Sequence, residues 1–151
     1  MGRAGNVIGG GDWADDRIVA DCVRAASNNQ IVSLRNPSAT RPWQHVLEPL
    51  SGYLTLAMNL KNQPNLHGEP FNFGPPANQN HSVGKLVTLM ANHWHDINWE
   101  DTSRQYKGPD EAGLLKLNCD KALHHLNWHA NWDFETTVRE TALWYKRYYT
   151  E

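Results

Sequence analysis

The sequence predicts an α/β fold, and three observations carry this prediction. Short β-prone runs alternate with stretches in which apolar residues recur at helical spacing, the pattern of strands covered by helices. Glycine, proline and asparagine mark the loops between them. Of the 151 residues, 40% are hydrophobic, which is enough for one domain with its own core. We therefore expect residues 1–151 to form a single α/β domain.

The first half of the chain is predicted to hold two strands and two helices. The strands cover residues 3–8, which lead into three consecutive glycines, and residues 31–34. A long loop is expected over residues 36–45. One helix has an apolar stripe within residues 18–26, and the next opens near Glu48-Pro49, where proline suits a first turn. The second helix is expected to bury Leu50, Tyr53, Leu54, Ala57 and Leu60.

The second half is predicted to hold two strands and three helices. The strands cover residues 71–74 and 114–117. Ser82 and Asp133 each precede an apolar-periodic run and are expected to cap a helix. A short helix is expected over residues 120–126. The buried stripes of the two capped helices are predicted to be Val83, Leu86, Val87, Met90 and Trp94, and Val138, Ala142, Tyr145 and Tyr149.

Charge and composition exclude several classes of protein. The 14 basic and 16 acidic side chains are balanced, and no lysine- or arginine-rich run indicates nucleic-acid binding. Apolar stretches fall short of the ~20 residues of a membrane span, and the N-terminal residues have no apolar targeting region. Two well-separated cysteines, Cys22 and Cys119, are typical of a reducing compartment. We expect a cytoplasmic chain without nucleic-acid or membrane partners.

Three segments could carry chemistry. The glycine-rich loop within residues 3–13 is not a Gly-x-Gly-x-x-Gly fingerprint, so it is either a turn or a close approach to a ligand. Arg35 and Arg41 flank a proline-bounded loop; their guanidinium groups could bind phosphate or simply face solvent. Histidine pairs, such as His125 and His129, lack a completing cysteine or carboxylate, so no metal site is expected. No serine lies in a nucleophile elbow.

Five stretches together resemble the CDP-glucose 4,6-dehydratase family of extended short-chain dehydrogenase/reductases. They read RAGNVIGGGDW (residues 3–13), RNPSATRPWQHVLEPLSGYLTLA (35–57), FNFGP (71–75), LLKLNCDKA (114–122) and TALWY (141–145). The first two are particular to this family, and the later ones occur among many nucleotide-sugar epimerases and dehydratases. The resemblance covers essentially the whole chain.

The resemblance implies the C-terminal, substrate-binding portion of such an enzyme, with only the last strands of the Rossmann sheet. The family converts CDP-glucose to CDP-4-keto-6-deoxyglucose with bound NAD, for bacterial surface polysaccharide such as the O-antigen of lipopolysaccharide. Its Tyr-x-x-x-Lys pair lies upstream of the RAGNV strand. Here no tyrosine has a lysine four residues later, since Tyr53, Tyr106 and Tyr145 are followed by alanine, aspartate and tyrosine. We therefore expect no catalytic residue in this chain, no NAD binding by it alone, and no activity alone.

The resemblance also assigns substrate-binding positions. Asn6 is expected to face the sugar and diphosphate, and it is the single residue expected near the cofactor. Arg41 is expected to grip the diphosphate, whereas Trp43 is expected to pack. The remaining matches are Arg17 and Ile18, at the head of a helix against the nucleotide, and Ser33, Leu34 and Arg35, beside the pyrimidine and ribose.

One departure from the family pattern is expected to weaken ligand binding, and the lack of an upstream half is expected to promote association. Asp110 stands where relatives carry a histidine, and its carboxylate would repel a nearby diphosphate.

Without the upstream half, strand edges and helix faces are expected to lie open, so the chain should associate with itself or with a complementary N-terminal fragment. The alternatives are a non-catalytic binding or interaction module, or a related nucleotide-sugar epimerase.

Overall fold

The computed structural model describes residues 1–106 and 113–151, which form an α/β arrangement, as the sequence predicts. The helices are α1 (Ile18–Ser27), α2 (Leu47–Leu60), α3 (Val83–His93), α4 (Asp120–Leu126) and α5 (Phe134–Thr150), with a 3-10 turn at Pro64–Leu66. The strands are β1 (Gly2–Ala4), β2 (Val7–Ile8), β3 (Ile31–Leu34), β4 (Thr40–Arg41), β5 (Gln44–His45), β6 (Phe71–Phe73), β7 (His81–Ser82) and β8 (Asn98–Asp101). In the described part, none of these helices has the length and apolar character that crossing a bilayer requires.

The strands pair two by two. Three pairs are parallel: β1 with β6, β2 with β5, and β3 with β8. The fourth pair, β4 with β7, is antiparallel. Parallel pairs need crossover connections, which α1, α2 and α3 supply.

The larger core lies among α1, α3 and α5. It buries most of the predicted stripes of all three helices, with Val23, Val87 and Val138 fully shielded from solvent, whereas Ile18, Val83 and Tyr149 are only partly buried. Both predicted caps are confirmed: Ser82 Oγ accepts the Lys85 amide at 3.1 Å, and Asp133 Oδ1 accepts the Thr136 amide at 2.8 Å.

A second core lies beneath the β1–β6 pair. Phe71 and Phe73 are fully buried there and pack against α2, α4 and Trp128. The Phe73 ring makes edge contacts with Tyr53 and Trp128, at centroid distances of 5.4 and 4.9 Å. These contacts fasten the parallel pair to the helices below it.

The predicted buried face of α2 is wrong. Leu50, Tyr53, Leu54 and Ala57 are exposed, and Leu60 is only partly buried. The buried residues are instead Glu48, Pro49, Gly52 and Leu56. Gly52 faces the core because the Phe73 ring lies against it; a Cβ there would be 2.3 Å from the ring. The Glu48 carboxylate accepts the amides of Asn131 and Trp132, at 3.0 and 2.9 Å. Apolar spacing alone therefore predicts the wrong face of α2 as the buried one.

Three strand predictions also change. The strand over residues 3–8 is split, because Asn6 adopts a positive φ of 45° between β1 and β2. The loop over residues 36–45 contains the short strands β4 and β5. Residues 114–117 form no strand; Leu114 makes a single bridge to Thr40, and Leu114 and Leu115 are both exposed.

Candidate functional site

An open cavity of about 750 Å³ lies between the β1–β2 junction, the start of α1 and the outer face of β3. Its volume falls in the range of sites that take small ligands and cofactors. The cavity brings together all seven residues that the sequence assigned to substrate binding: Asn6, Arg17, Ile18, Ser33, Leu34, Arg35 and Arg41. Asn6 and Arg41, which are 35 positions apart in the sequence, therefore line the same cavity.

Asn6 stands at the bend between β1 and β2. Asparagine tolerates the left-handed conformation that this bend requires. Its carbonyl accepts the Gln44 amide at 3.2 Å, and the Gln44 side chain donates to the carbonyls of Gly5 and Phe73, at 3.0 and 2.8 Å. Gln44 is almost wholly buried. Gln44 therefore holds the bend in place from the buried side, and Asn6 lies at the cavity wall.

Three arginines and three aspartates line the cavity. Arg17 is the residue that precedes α1, whose N-terminus carries a partial positive charge. Arg41 donates from Nη1 to the Thr40 carbonyl at 2.9 Å, which holds the guanidinium beside β4. Asp12, Asp16 and Asp21 also line the cavity, but Arg24 pairs with Asp21 at 2.7 Å. The guanidinium groups are donors of the kind that bind an anionic ligand such as a diphosphate.

The outer face of β3 forms another wall. Ser33 and Arg35 point away from the core, whereas the Leu34 side chain is buried. Leu34 can therefore contact a ligand only through its backbone. The Arg35 guanidinium lies 5.2 Å from the Tyr106 ring centroid, and Ser33 Oγ donates to Glu100 Oε1 at 2.9 Å. The sequence pattern does not predict β8, the strand that carries Glu100.

The glycine-rich loop is a packed turn. A Cβ on Gly10 would lie 2.1 Å from the Trp144 ring, so glycine is required there by α5. The Tyr145 hydroxyl donates to the Asp12 carbonyl at 2.6 Å and accepts the Asp12 amide at 2.9 Å, which ties the loop to the same helix. The loop is thus held against α5 by side-chain contacts.

The histidines and cysteines add no second reactive centre in the described ranges. No group of three or more metal-ligating side chains comes together among residues 1–106 and 113–151. Burial raises the pKa of the Cys22 thiol to about 12, so it stays protonated and inert. His45 packs on Trp132 with ring centroids 4.6 Å apart, and burial lowers its pKa, which keeps it neutral. Asp110, the departure from the family pattern, lies outside the described residues.

Comparison with curated proteins finds a close relative in sequence. The chain is 45% identical over 145 residues to a CDP-glucose 4,6-dehydratase of Salmonella typhimurium. The match covers 95% of this chain but only 40% of the relative, so the chain spans less than half of that protein's length. No protein-family model matches the chain.

Solved structures confirm the fold. A UDP-glucuronic acid 4-epimerase from Bacillus cereus, in complex with UDP-glucuronic acid and NAD, matches 97% of this chain with a TM-score of 0.79 at 13% identity. A dTDP-glucose 4,6-dehydratase from Bacillus anthracis, in complex with NAD, matches 97% with a TM-score of 0.69 at 19% identity. The chain covers 45% and 44% of these two proteins, so it spans less than half the length of each.

Proposed function

This chain is homologous to part of CDP-glucose 4,6-dehydratase, and we propose that it is the portion that binds the nucleotide sugar. The observation that carries the proposal is that Arg17, Arg35, Arg41 and Asn6 line one and the same cavity. Guanidinium groups bind diphosphate oxygens through charge-assisted, forked hydrogen bonds. The cavity accordingly offers the kind of groups that hold a nucleoside diphosphate sugar.

Each wall of the cavity has a role in this proposal. Arg41 binds the diphosphate, and Asn6 faces the diphosphate and the sugar. The outer face of β3, with Ser33 and Arg35, lies beside the pyrimidine and ribose. Arg17 and Ile18 cover the nucleotide from the start of α1. The substrate is CDP-glucose and the product of the complete enzyme is CDP-4-keto-6-deoxyglucose, made in the cytoplasm for surface polysaccharide.

The proposal divides the chemistry between two polypeptide segments. This chain supplies substrate contacts, while NAD and the Tyr-x-x-x-Lys pair come from a preceding Rossmann half. The packed glycine loop supports this division, because Gly10 and Asp12 are engaged by α5. The 151-residue chain should therefore bind the substrate without converting it.

We expect the purified chain to bind CDP-glucose in a calorimetric titration and to form no 4-keto product when NAD is added. The physical reason is that its described residues hold the ligand but offer no base for the C4 hydroxyl. Ultraviolet absorbance of the 4-keto sugar in alkali would measure turnover. Product formation by this chain alone would overturn the division of chemistry, and absence of CDP-glucose binding would overturn the assignment of the cavity.

Adding a complementary Rossmann half to the same assay separates the alternative functions. A non-catalytic binding module would bind CDP-glucose and remain inactive even after a Rossmann half is added. An epimerase would instead favour a UDP-sugar and interconvert it with its C4 epimer once complemented. The sequence identity to a CDP-glucose enzyme favours the dehydratase, since the epimerase neighbour shares only 13% of residues.

We propose that the apolar face of α2 binds either a second copy of the chain or a complementary N-terminal half. Leu47, Leu50, Leu54 and Met58 lie on this face at helical spacing, and the last two are 67% and 73% exposed. A run of large apolar side chains on one face of a helix marks a surface that another segment covers. The chain by itself should therefore associate.

Replacing Leu54 with lysine should shift the isolated chain from an associated form toward monomer, lowering the association constant at least about tenfold. The charge would have to be buried in an apolar contact. Size-exclusion chromatography with light scattering at several concentrations measures the change. Leu123→Lys is the matched control, because Leu123 is also exposed but lies on α4. A wild-type chain that is monomeric and melts cooperatively would contradict this prediction.

A further inference from the structure

Glu100 and Ser33 form a polar pair on neighbouring strands, and Ser33 lines the cavity. They are opposite each other in the parallel β3–β8 pair, and the Ser33 hydroxyl donates to one carboxylate oxygen of Glu100 at 2.9 Å. Both side chains are exposed. The hydrogen bond orients the carboxylate while leaving it capacity for further donors, since a carboxylate can accept about four hydrogen bonds.

A carboxylate distinguishes pyrimidines by the group at C4. Cytosine has an amino group there and donates hydrogen bonds, whereas uracil and thymine have a carbonyl oxygen that only accepts. Glutamate accepts from the cytosine amino group and repels the carbonyl oxygen of the other two bases. We propose that Glu100, held by Ser33, makes this site select cytosine nucleotides. The inference rests on the proposed function, which puts the pyrimidine beside β3.

A neighbouring exposed residue supports a base at this position. Arg35 follows Ser33 by two residues, immediately after the end of β3, and both side chains are exposed. Its guanidinium is held over the Tyr106 ring, at 5.2 Å from the centroid. A planar guanidinium is a surface on which a base can stack. In this proposal Arg35 meets the ring face of the base, and Glu100, held by Ser33, meets its edge.

The test is a calorimetric titration of the chain with CDP and with UDP, for the wild type and for Glu100→Gln. We expect the wild type to bind CDP at least about tenfold more tightly than UDP, the discrimination typical of one specific base-edge contact. The glutamine amide can accept from an amino group or donate to a carbonyl, depending on its orientation. The variant should therefore bind both nucleotides with affinities within about threefold, mainly by gaining UDP affinity.

Asp101→Asn is the matched control, because it removes one negative charge from the same strand at a position that points the opposite way. Asp101 accepts the Ser103 amide at 2.9 Å, and its replacement should leave the CDP preference intact. Equal wild-type affinities, or an undiminished preference in Glu100→Gln, would overturn the role of Glu100 while leaving the nucleotide site standing. A wild-type chain that binds neither CDP nor UDP would overturn the proposed function and this inference together.

Discussion

Replacing Arg41 with alanine should weaken CDP binding at least tenfold, a loss of about 1.4 kcal/mol. Each charge-assisted hydrogen bond to a diphosphate contributes ~1.5–3 kcal/mol, so the loss of one contact suffices. Arg41 is partly buried beside β4, where its hydrogen bond to the Thr40 carbonyl limits its motion. A guanidinium already held at the cavity wall loses less side-chain entropy on binding than a freely moving one. Calorimetric titration with CDP measures the effect.

Two further variants make the Arg41 result specific. Arg139→Ala removes an exposed arginine of α5 that pairs with Glu140, away from the cavity, and should leave CDP affinity unchanged. Arg41→Lys keeps the charge but loses the forked geometry, so its affinity should fall between those of wild type and Arg41→Ala. If Arg41→Ala bound CDP as tightly as wild type while remaining folded, Arg41 would not belong to the site.

The seven positions that the resemblance assigned to substrate binding come together in the structure, and their binding role stays a prediction. All seven assigned positions line one cavity, although they come from separate segments that no spacing rule connects. The family resemblance supplied that connection, because homologous segments keep their places in a fold. The three helices of the larger core were also predicted, since each buries one continuous apolar stripe and two of them begin at capping residues.

Tertiary contacts decided what the sequence could not. Gly52 faces inward because the Phe73 ring needs its space, and Glu48 is buried because two backbone amides bind its carboxylate. Neither cause is visible in the periodicity of α2. Glu100 and Gln44 were missed for the same reason, since each acts on strands distant in sequence. Hydrogen bonds between segments distant in sequence leave no pattern along the chain.

Replacing Phe73 with alanine should reduce the free energy of unfolding by about 3–5 kcal/mol, the largest stability loss that we predict. The ring is fully buried, lies against Gly52, and contacts Tyr53 and Trp128 edge-on. Since a domain of this size has only about 5–15 kcal/mol of stability, the variant should be largely unfolded at moderate urea concentration. Urea denaturation followed by tryptophan fluorescence measures the change.

The effect of Phe73 should extend to the cavity because its backbone is part of the support for Asn6. The Phe73 carbonyl accepts the buried Gln44 side chain, which also holds Gly5 next to the bend. Phe73→Leu fills more of the space, so it should lose less stability than Phe73→Ala and stay folded enough for a CDP titration, which should show weakened binding.

Tyr148→Ala is the control for the stability loss: this aromatic residue is 59% exposed, and its replacement should reduce the free energy of unfolding by at most about 1.5 kcal/mol. Equal losses for Phe73→Ala and Tyr148→Ala would mean that the second core does not hold the β1–β6 pair in place.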